Sequence, residues 1–163
     1  MLVAGVGNVL RRDDGFGVFV ARRLLEGPIP DAVRVVELGI GGIHLVQDLL
    51  RGDVGGLIVI DAVDLGRPPG TVVVIEPDVL DVGSMSMTER HDQLADMHFS
   101  TPDRAFMLAR GLHVLPSATW VVGCQPRETD QLGEGLSPEL EASVDAAIAE
   151  VKRLVGTLAI DWL

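Results

Sequence analysis

The segment GGLIVIDAV (55–63) is an almost unbroken apolar run that ends near a carboxylate, Asp61. Its length and its β-branched residues predict a strand, and the lack of polar alternation predicts that both faces of this strand are covered. Strands of that kind belong to parallel sheets in α/β domains, where crossover helices pack on both sides. The segment therefore decides the expected fold class, and it places Asp61 at the carboxyl end of a buried strand.

Strand and helix patterns alternate along the rest of the chain. Short apolar runs predict four further strands, at 2–4, 33–38, 71–75 and 118–124. The strand at 71–75 is expected at or near an edge of the sheet, because its short connection to the preceding strand cannot make a parallel crossover. Apolar residues at helical spacing predict helices at 16–25, 43–50 and 102–111.

The C-terminal region predicts one long helix. Ser137 has the character of an N-cap, Pro138 suits the first helical position, and the apolar pattern continues to about Val155. We therefore expect a single domain over residues 1–163. Its expected architecture is a three-layer α/β/α sandwich with a mostly parallel, twisted sheet of about five strands.

Composition narrows the classes of function and the cellular location. The net charge of −11 argues against nucleic-acid and anionic-membrane partners, which require a basic surface. A single cysteine, Cys124, excludes an intrachain disulfide and a cysteine-rich metal site. The first residues lack a basic signal-peptide region, and no apolar stretch approaches the roughly 20 residues of a membrane span. These features predict a cytoplasmic protein, and we expect a monomer.

Chemically active side chains follow several of the predicted strands. Asn8, Asp13 and Asp14 follow the first strand, and the irregular stretch 77–101 contributes His91 and His98. Because ligands of such sheets bind beyond the carboxyl ends of the strands, we expect carboxylates and an imidazole at one edge.

The glycines after the first strand raise the question of a phosphate site. Gly5 and Gly7 match the start of the dinucleotide fingerprint, but the third glycine position holds Leu10. Asp13 and Asp14 would also repel a pyrophosphate. Two carboxylates and a neutral imidazole better suit a cation such as zinc, manganese, nickel or iron.

Structural roles for these residues remain open at this stage. Asp14 could be a helix N-cap, and Asp13 is the better candidate for that cap. Cys124 is expected to behave as a small buried apolar residue rather than as a nucleophile.

The chain resembles the [NiFe]-hydrogenase maturation endopeptidases along most of its length. The resemblance is carried by these segments: GVGNVLRRDDGFG (5–17), ELGIGGIHLVQDLL (37–50), LIVIDAVDLGRPPGTV (57–72), RHDQL (90–94), VVGCQPRE (121–128) and GLSPELEASV (135–144). It implies a three-layer α/β domain. It also implies an endopeptidase that removes the C-terminal extension of a [NiFe]-hydrogenase large-subunit precursor after nickel insertion.

The resemblance also implies roles for particular residues. Asp14, Asp61 and His91 would be the catalytic and metal-coordinating residues, with His98 as the alternative for the histidine. The metal would be nickel carried by the substrate, with no tightly bound cofactor of the protein itself. Substrate recognition would fall to Asn8 and to the glycines of the turn after the second strand, Gly39, Gly41 and Gly42. The main alternative function is a non-catalytic nickel-binding escort, and a general metallopeptidase is a further one.

Overall fold

The computed structural model describes residues 1–40, 42–80, 86 and 101–162. Its strands are β1 (Leu2–Val6), β2 (Arg34–Gly39), β3 (Leu57–Ala62), β4 (Val72–Ile75) and β5 (Thr119–Cys124). Its helices are α1 (Phe16–Leu25), α2 (Gly42–Leu50), α3 (Thr101–Gly111), α4 (Pro138–Glu141) and α5 (Val144–Thr157). A short 3-10 turn, Arg12–Gly15, leads into α1. The predicted strands and the first three predicted helices are confirmed, with ends that differ by one or two residues.

The described strands form one five-stranded sheet in the order β2-β1-β3-β5-β4. All neighbouring pairs are parallel except β4 and β5, which run antiparallel. Strand β4 lies at the edge, as its short connection predicted. The chain passes from β1 to β2 on one side and then returns to β3 on the other side of β1. The strand order therefore reverses beside β1 and β3, which is where ligands bind in open α/β sheets.

Helices cover both faces of the sheet. Val3, Ile58 and Ile60 belong to the apolar core formed with α1, α4 and α5. Leu57 and Val59, which alternate with the isoleucines of β3, belong to the second core formed with α2 and α3. This alternation confirms the three-layer arrangement and the double coverage predicted for β3.

Two glycines allow α1 to lie directly against the sheet backbone. A Cβ atom at Gly17 would lie 1.9 Å from the carbonyl oxygen of Ile60, and one at Gly5 would lie 2.2 Å from that of Gly17. No larger residue fits such spacing without moving the helix. This close approach brings the turn before α1, which contains Asp14, to the end of β3.

The prediction of one continuous C-terminal helix is wrong, because the chain forms α4 and α5 with a break at 142–143. The Ser143 N–H donates to the Leu140 carbonyl at 3.0 Å, and the Ser143 hydroxyl lies 2.9 Å from the same oxygen. These local bonds compete with regular helical hydrogen bonding. Ser137 stands at the N-cap of α4 and Pro138 at its first position, as predicted, although the Ser137 side chain makes no capping hydrogen bond.

None of the helices in the described part of the chain is both long and apolar enough to cross a bilayer.

Candidate active site

A cleft of about 190 Å³ lies at the carboxyl edge of the sheet, where the strand order reverses. Asp14 and Asp61 both line it, as the sequence predicted. The turns after β1, β2 and β3 and the start of α3 supply the remaining walls: Val6, Gly7, Gly39, Ile40, Ala62 and Pro102. The fold therefore brings together two carboxyl groups that are far apart in the sequence.

Asp61 is the more buried of the two acids, with 9% of its surface exposed. It stands opposite Gly123 in the ladder between β3 and β5, and its Oδ1 accepts the backbone N–H of Ala62 at 2.9 Å. Burial, and then the charges of Asp14 and Asp103, raise the pKa of Asp61 to about 8. This carboxyl group therefore retains its proton at neutral pH.

Asp14 is half-buried and lies on the turn that precedes α1. Its Oδ2 accepts the backbone N–H of Asn8 at 3.2 Å. Burial raises the pKa of Asp14, while the Asn8 hydrogen bond and the charge of Arg11 act in the opposite direction. Asp14 and Asp61 line one cleft and the charge of Asp14 acts on Asp61, so the two form an interacting acid pair, which can bind a cation once it has lost its proton.

The histidine predicted to complete the site lies outside the described residues, as does the alternative, His98. Within the described ranges, no three His, Cys, Asp or Glu side chains are grouped so as to hold a metal ion. The described histidines are elsewhere: His44 is exposed on α2 beside Gln47, and His113 is exposed after α3. The role of His91 therefore stays a prediction.

Of the residues predicted for substrate recognition, Gly39 and Asn8 lie beside the acid pair. Gly39 lines the cleft with φ +56°, and its carbonyl accepts the Gly7 N–H at 2.9 Å. Gly42 begins α2, and Gly41 lies outside the described residues. The Asn8 side chain accepts the Leu10 N–H at 3.0 Å, so its oxygen shapes the turn. Their part in recognition stays a prediction.

Comparison with known proteins identifies the family. A model of the hydrogenase maturation protease family, HycI, matches residues 18–154. The chain belongs to the hydrogenase maturation protease family. It is therefore a peptidase.

Relatives of this protease span nearly its whole length. It is 35% identical over 162 residues to the hydrogenase expression/formation protein HupD of Rhodobacter capsulatus, covering 99% of this chain and 73% of that protein. It is 33% identical over 155 residues to a putative hydrogenase maturation protease of Methanocaldococcus jannaschii, covering 91% of each chain.

Solved structures share the fold of the protease. The hydrogenase maturating endopeptidase HybD from E. coli superimposes with a TM-score of 0.78 at 25% identity, covering 98% of this chain and 94% of that one. A hydrogenase 2 maturation peptidase from a Thaumarchaeota archaeon superimposes with a TM-score of 0.68 at 35% identity, covering 95% and 97%. The α/β sandwich predicted from the sequence is thus the fold of known maturation peptidases.

Asp13 has a different role in the protease from the one its sequence position predicts. The residue before α1 is Gly15, and no side chain caps the helix, so the prediction of Asp13 or Asp14 as a cap is wrong. Asp13 is fully buried, and four donors from a distant loop bind its carboxylate. They are the Ser137 N–H at 2.6 Å, the Ser137 hydroxyl at 2.9 Å, the Arg127 N–H at 2.9 Å and the Glu128 N–H at 3.2 Å. Asp13 therefore connects the loop after β5 to the turn that carries Asp14.

Gln125 makes a similar connection that the sequence reasoning did not identify. Its buried amide oxygen accepts the N–H groups of Leu65 at 2.6 Å and Arg67 at 3.2 Å. Its amide nitrogen donates to Asp64 Oδ1 at 3.1 Å, and this bond lowers the pKa of Asp64. The loop after β3 is thereby held against the end of β5. In the sequence, the position of the polar Gln125 directly after the apolar residues of β5 was the feature that could have indicated this role.

Cys124 belongs to the apolar core, as expected. It is fully buried, its Sγ lies 3.4 Å from the Ser143 hydroxyl, and burial raises the pKa of its thiol. A thiol in this environment stays protonated and is a poor nucleophile.

Proposed function

We propose that the protein is the endopeptidase that removes the C-terminal extension of a [NiFe]-hydrogenase large-subunit precursor after nickel insertion. The observation that carries the proposal is the pair of carboxyl groups, Asp14 and Asp61, in the cleft of a chain that belongs to the hydrogenase maturation proteases. The position of the pair where the strand order reverses supports its use as a binding site.

The hydrogen bonding of the pair favours a cation as its partner. Among the described residues, Asp61 accepts a bond only from its neighbour Ala62, and the Asp14 side chain accepts one only from Asn8. Within the described part of the chain, most lone pairs of the two carboxyl groups therefore have no donor. A divalent cation between the two groups would also remove their mutual repulsion.

We propose that this cation is the nickel already carried by the substrate, and that His91 completes its coordination. Nickel binding would displace the proton that Asp61 holds at neutral pH, so the interaction would release a proton. Binding of the nickel would place the nearby scissile bond in the cleft and would restrict cleavage to loaded precursors. The attacking water would be activated either by the metal or by one of the carboxylates.

The test uses a hydrogenase large-subunit precursor with and without nickel. Each form is mixed with wild-type protein, Asp61→Asn or His91→Ala, and the products are analysed by gel mobility and by intact mass. Asp53→Asn and His44→Ala are matched controls, because both residues are exposed and lie outside the cleft. We expect nickel-dependent shortening with wild type and both controls, and none with the two site variants.

Other results would reject parts of the proposal. Binding of nickel without shortening of any loaded precursor would indicate an escort. Cleavage of unrelated peptides without nickel would indicate a general metallopeptidase. Shortening that survives both site substitutions would retain the activity but move the site elsewhere.

A further inference from the structure

A second cavity, of about 310 Å³, adjoins the acidic cleft at the end of β3. Asp61 and Pro102 line both cavities, so the two spaces meet at the more buried acid of the pair. The candidate active site therefore continues into a further space, which we call the side pocket.

The side pocket lies between α3 and the sheet. Ile75 and Val121, which are partners in the antiparallel ladder between β4 and β5, line it from the sheet. Phe106 and Met107 line it from α3 and are only 1% and 5% exposed. These side chains belong to, or pack against, the apolar core on this face of the sheet. The side pocket is therefore an opening in that core beside the acidic cleft.

Val63 brings an apolar side chain to the side pocket two residues after Asp61. A Cβ atom at Gly123 would lie 3.1 Å from Cγ2 of Val63, so Val63 packs over the glycine that is the ladder partner of Asp61. The Val63 N–H donates to the Cys124 carbonyl at 2.9 Å, which holds this position against β5. One short segment thus fixes both an acid of the cleft and an apolar wall of the side pocket.

The charges at the side pocket restrict what it can bind. Its polar lining consists of Asp61 and of Asp78 and Asp103, which are both exposed, whereas its buried walls are apolar. A carboxylate in this space would be repelled by the acids and would lose its hydration against the apolar walls. The volume is at the lower end of the roughly 300–1,000 Å³ of small-ligand sites, so it suits one side chain. An uncharged apolar side chain fits these conditions.

We propose that the side pocket is the specificity pocket of the protease and binds an apolar side chain next to the scissile bond of the precursor. This inference rests on the proposed function and adds which residue types are accepted at the cut. A peptide bond held at Asp61 carries the side chains of its two flanking residues close to the side pocket, and one of them would enter it. Burial of that side chain would help to hold the bond beside the acid pair.

The first test changes the substrate. Intact mass of the mature large subunit isolated from cells locates the cut, and so identifies the two flanking residues independently of the purified protein. Nickel-loaded precursors with alanine, leucine, phenylalanine, lysine or glutamate at each flanking position are compared by kcat/KM. At one of the two positions, we expect leucine to be preferred over alanine by at least about tenfold, and glutamate to be the poorest.

The second test changes the side pocket. Ile75→Trp reduces the space and Ile75→Ala enlarges it. Val74→Ala is the matched control, because Val74 precedes Ile75 in β4 but packs against the core on the other face of the sheet. We expect Ile75→Trp to prefer alanine over leucine by at least about tenfold and Ile75→Ala to prefer phenylalanine over leucine. The control should keep the wild-type order of preference.

A reversed preference distinguishes a specificity pocket from a structural role, because lost stability alone does not change which substrate is preferred. Urea unfolding of each variant measures its stability separately. Ile75 variants that are less stable but keep the wild-type preference would show that the side pocket is only part of the core, and would overturn the proposal. Equal kcat/KM for leucine and alanine at both flanking positions, or a preference for lysine over leucine, would also overturn it.

Equilibrium binding separates this inference from the proposed function. The affinities of the same nickel-loaded precursors are measured for wild type and Ile75→Trp. If wild type shortens none of them, the proposed function fails. Tighter binding of the leucine precursor than of the alanine precursor, lost in Ile75→Trp, would still support the side pocket as the site of an apolar side chain. Equal binding of the two precursors would reject it.

Discussion

Asp13 and Asp14 are adjacent in the sequence but occupy two regions with opposite properties. The Asp13 region is a fully buried carboxylate surrounded by four donors from the loop after β5. The cleft region contains Asp14 and Asp61, which accept few hydrogen bonds from the described residues, and the charge of Asp14 helps to raise the pKa of Asp61. Burial alone therefore does not distinguish a structural acid from a functional one.

The number of hydrogen-bond donors around each carboxylate distinguishes the structural acid from the functional ones. A carboxylate with four donors has its charge compensated within the protein and stabilises the fold. Two carboxyl groups that share a cleft and have few donors among the described residues are held in an unfavourable state, which a proton or a metal ion relieves. Local instability of this kind is typical of sites that bind or react.

The largest expected difference between the two regions is in activity. Asp61→Asn keeps the size of the side chain but removes its capacity to ionise. We expect kcat/KM for processing of the nickel-loaded precursor to fall on the order of a thousandfold. The measurement is the initial rate of shortening, with circular dichroism to confirm the fold. Activity within tenfold of wild type would contradict a catalytic role for this region.

The next largest effect is expected in the stability of the Asp13 region. Asp13→Ala leaves four donors without their acceptor, and we expect a loss of about 3–5 kcal/mol in the free energy of unfolding. Urea titration at pH 7 measures the loss, and Asp53→Ala, at an exposed position, should change stability by less than about 0.5 kcal/mol. A loss below about 1 kcal/mol for Asp13→Ala would show that the buried bonds contribute little.

The pH dependence of stability tests the raised pKa of Asp61. The folded protein keeps this proton up to about pH 8, whereas the unfolded chain releases it near the ordinary value of 3.8. The contribution of Asp61 to stability is therefore fully present below pH 3.8 and is lost as the pH rises towards 8.

The Asp61→Asn variant has no ionisable group at position 61, so its stability lacks this pH dependence. Between pH 5 and pH 8, we expect the stability of the variant relative to wild type to rise on the order of a few kcal/mol. Urea titrations at both pH values, with a chelator present, measure the change, and Asp53→Asn is the control. A difference that stays constant with pH would show that Asp61 is not protonated in the folded state.

The smallest effect is expected for Ser137→Ala. This change removes the hydroxyl bond to Asp13 and leaves the backbone N–H of residue 137 in place. We expect a loss of about 1 kcal/mol in the free energy of unfolding, with no change in kcat. Urea titration and the processing assay measure the two quantities, with the exposed Ser117→Ala as a control. A loss as large as that of Asp13→Ala would mean that one hydroxyl accounts for the stability of this region.

Much of the fold follows from local patterns in the sequence. The apolar run that forms β3 predicted a strand covered on both faces, and Phe16, Val20 and Leu24 predicted the buried face of α1. Such patterns are reliable because periodicity reflects which face each side chain occupies. The break between α4 and α5 was not predictable in the same way, because it depends on bonds made by the Ser143 hydroxyl.

By itself, the sequence determined the succession of strands and helices along the chain and the α/β class. It also determined the place of Asp61 at a strand end and the resemblance to the maturation endopeptidases. The resemblance pointed to Asp14, but only the tertiary structure showed that Asp14 lines the cleft while the loop after β5 binds Asp13. The physical reason is the distance in sequence between each acid and its partners. The donors to Asp13 lie 114 to 124 positions away, and Asp14 meets Asp61 only because α1 packs directly against β3.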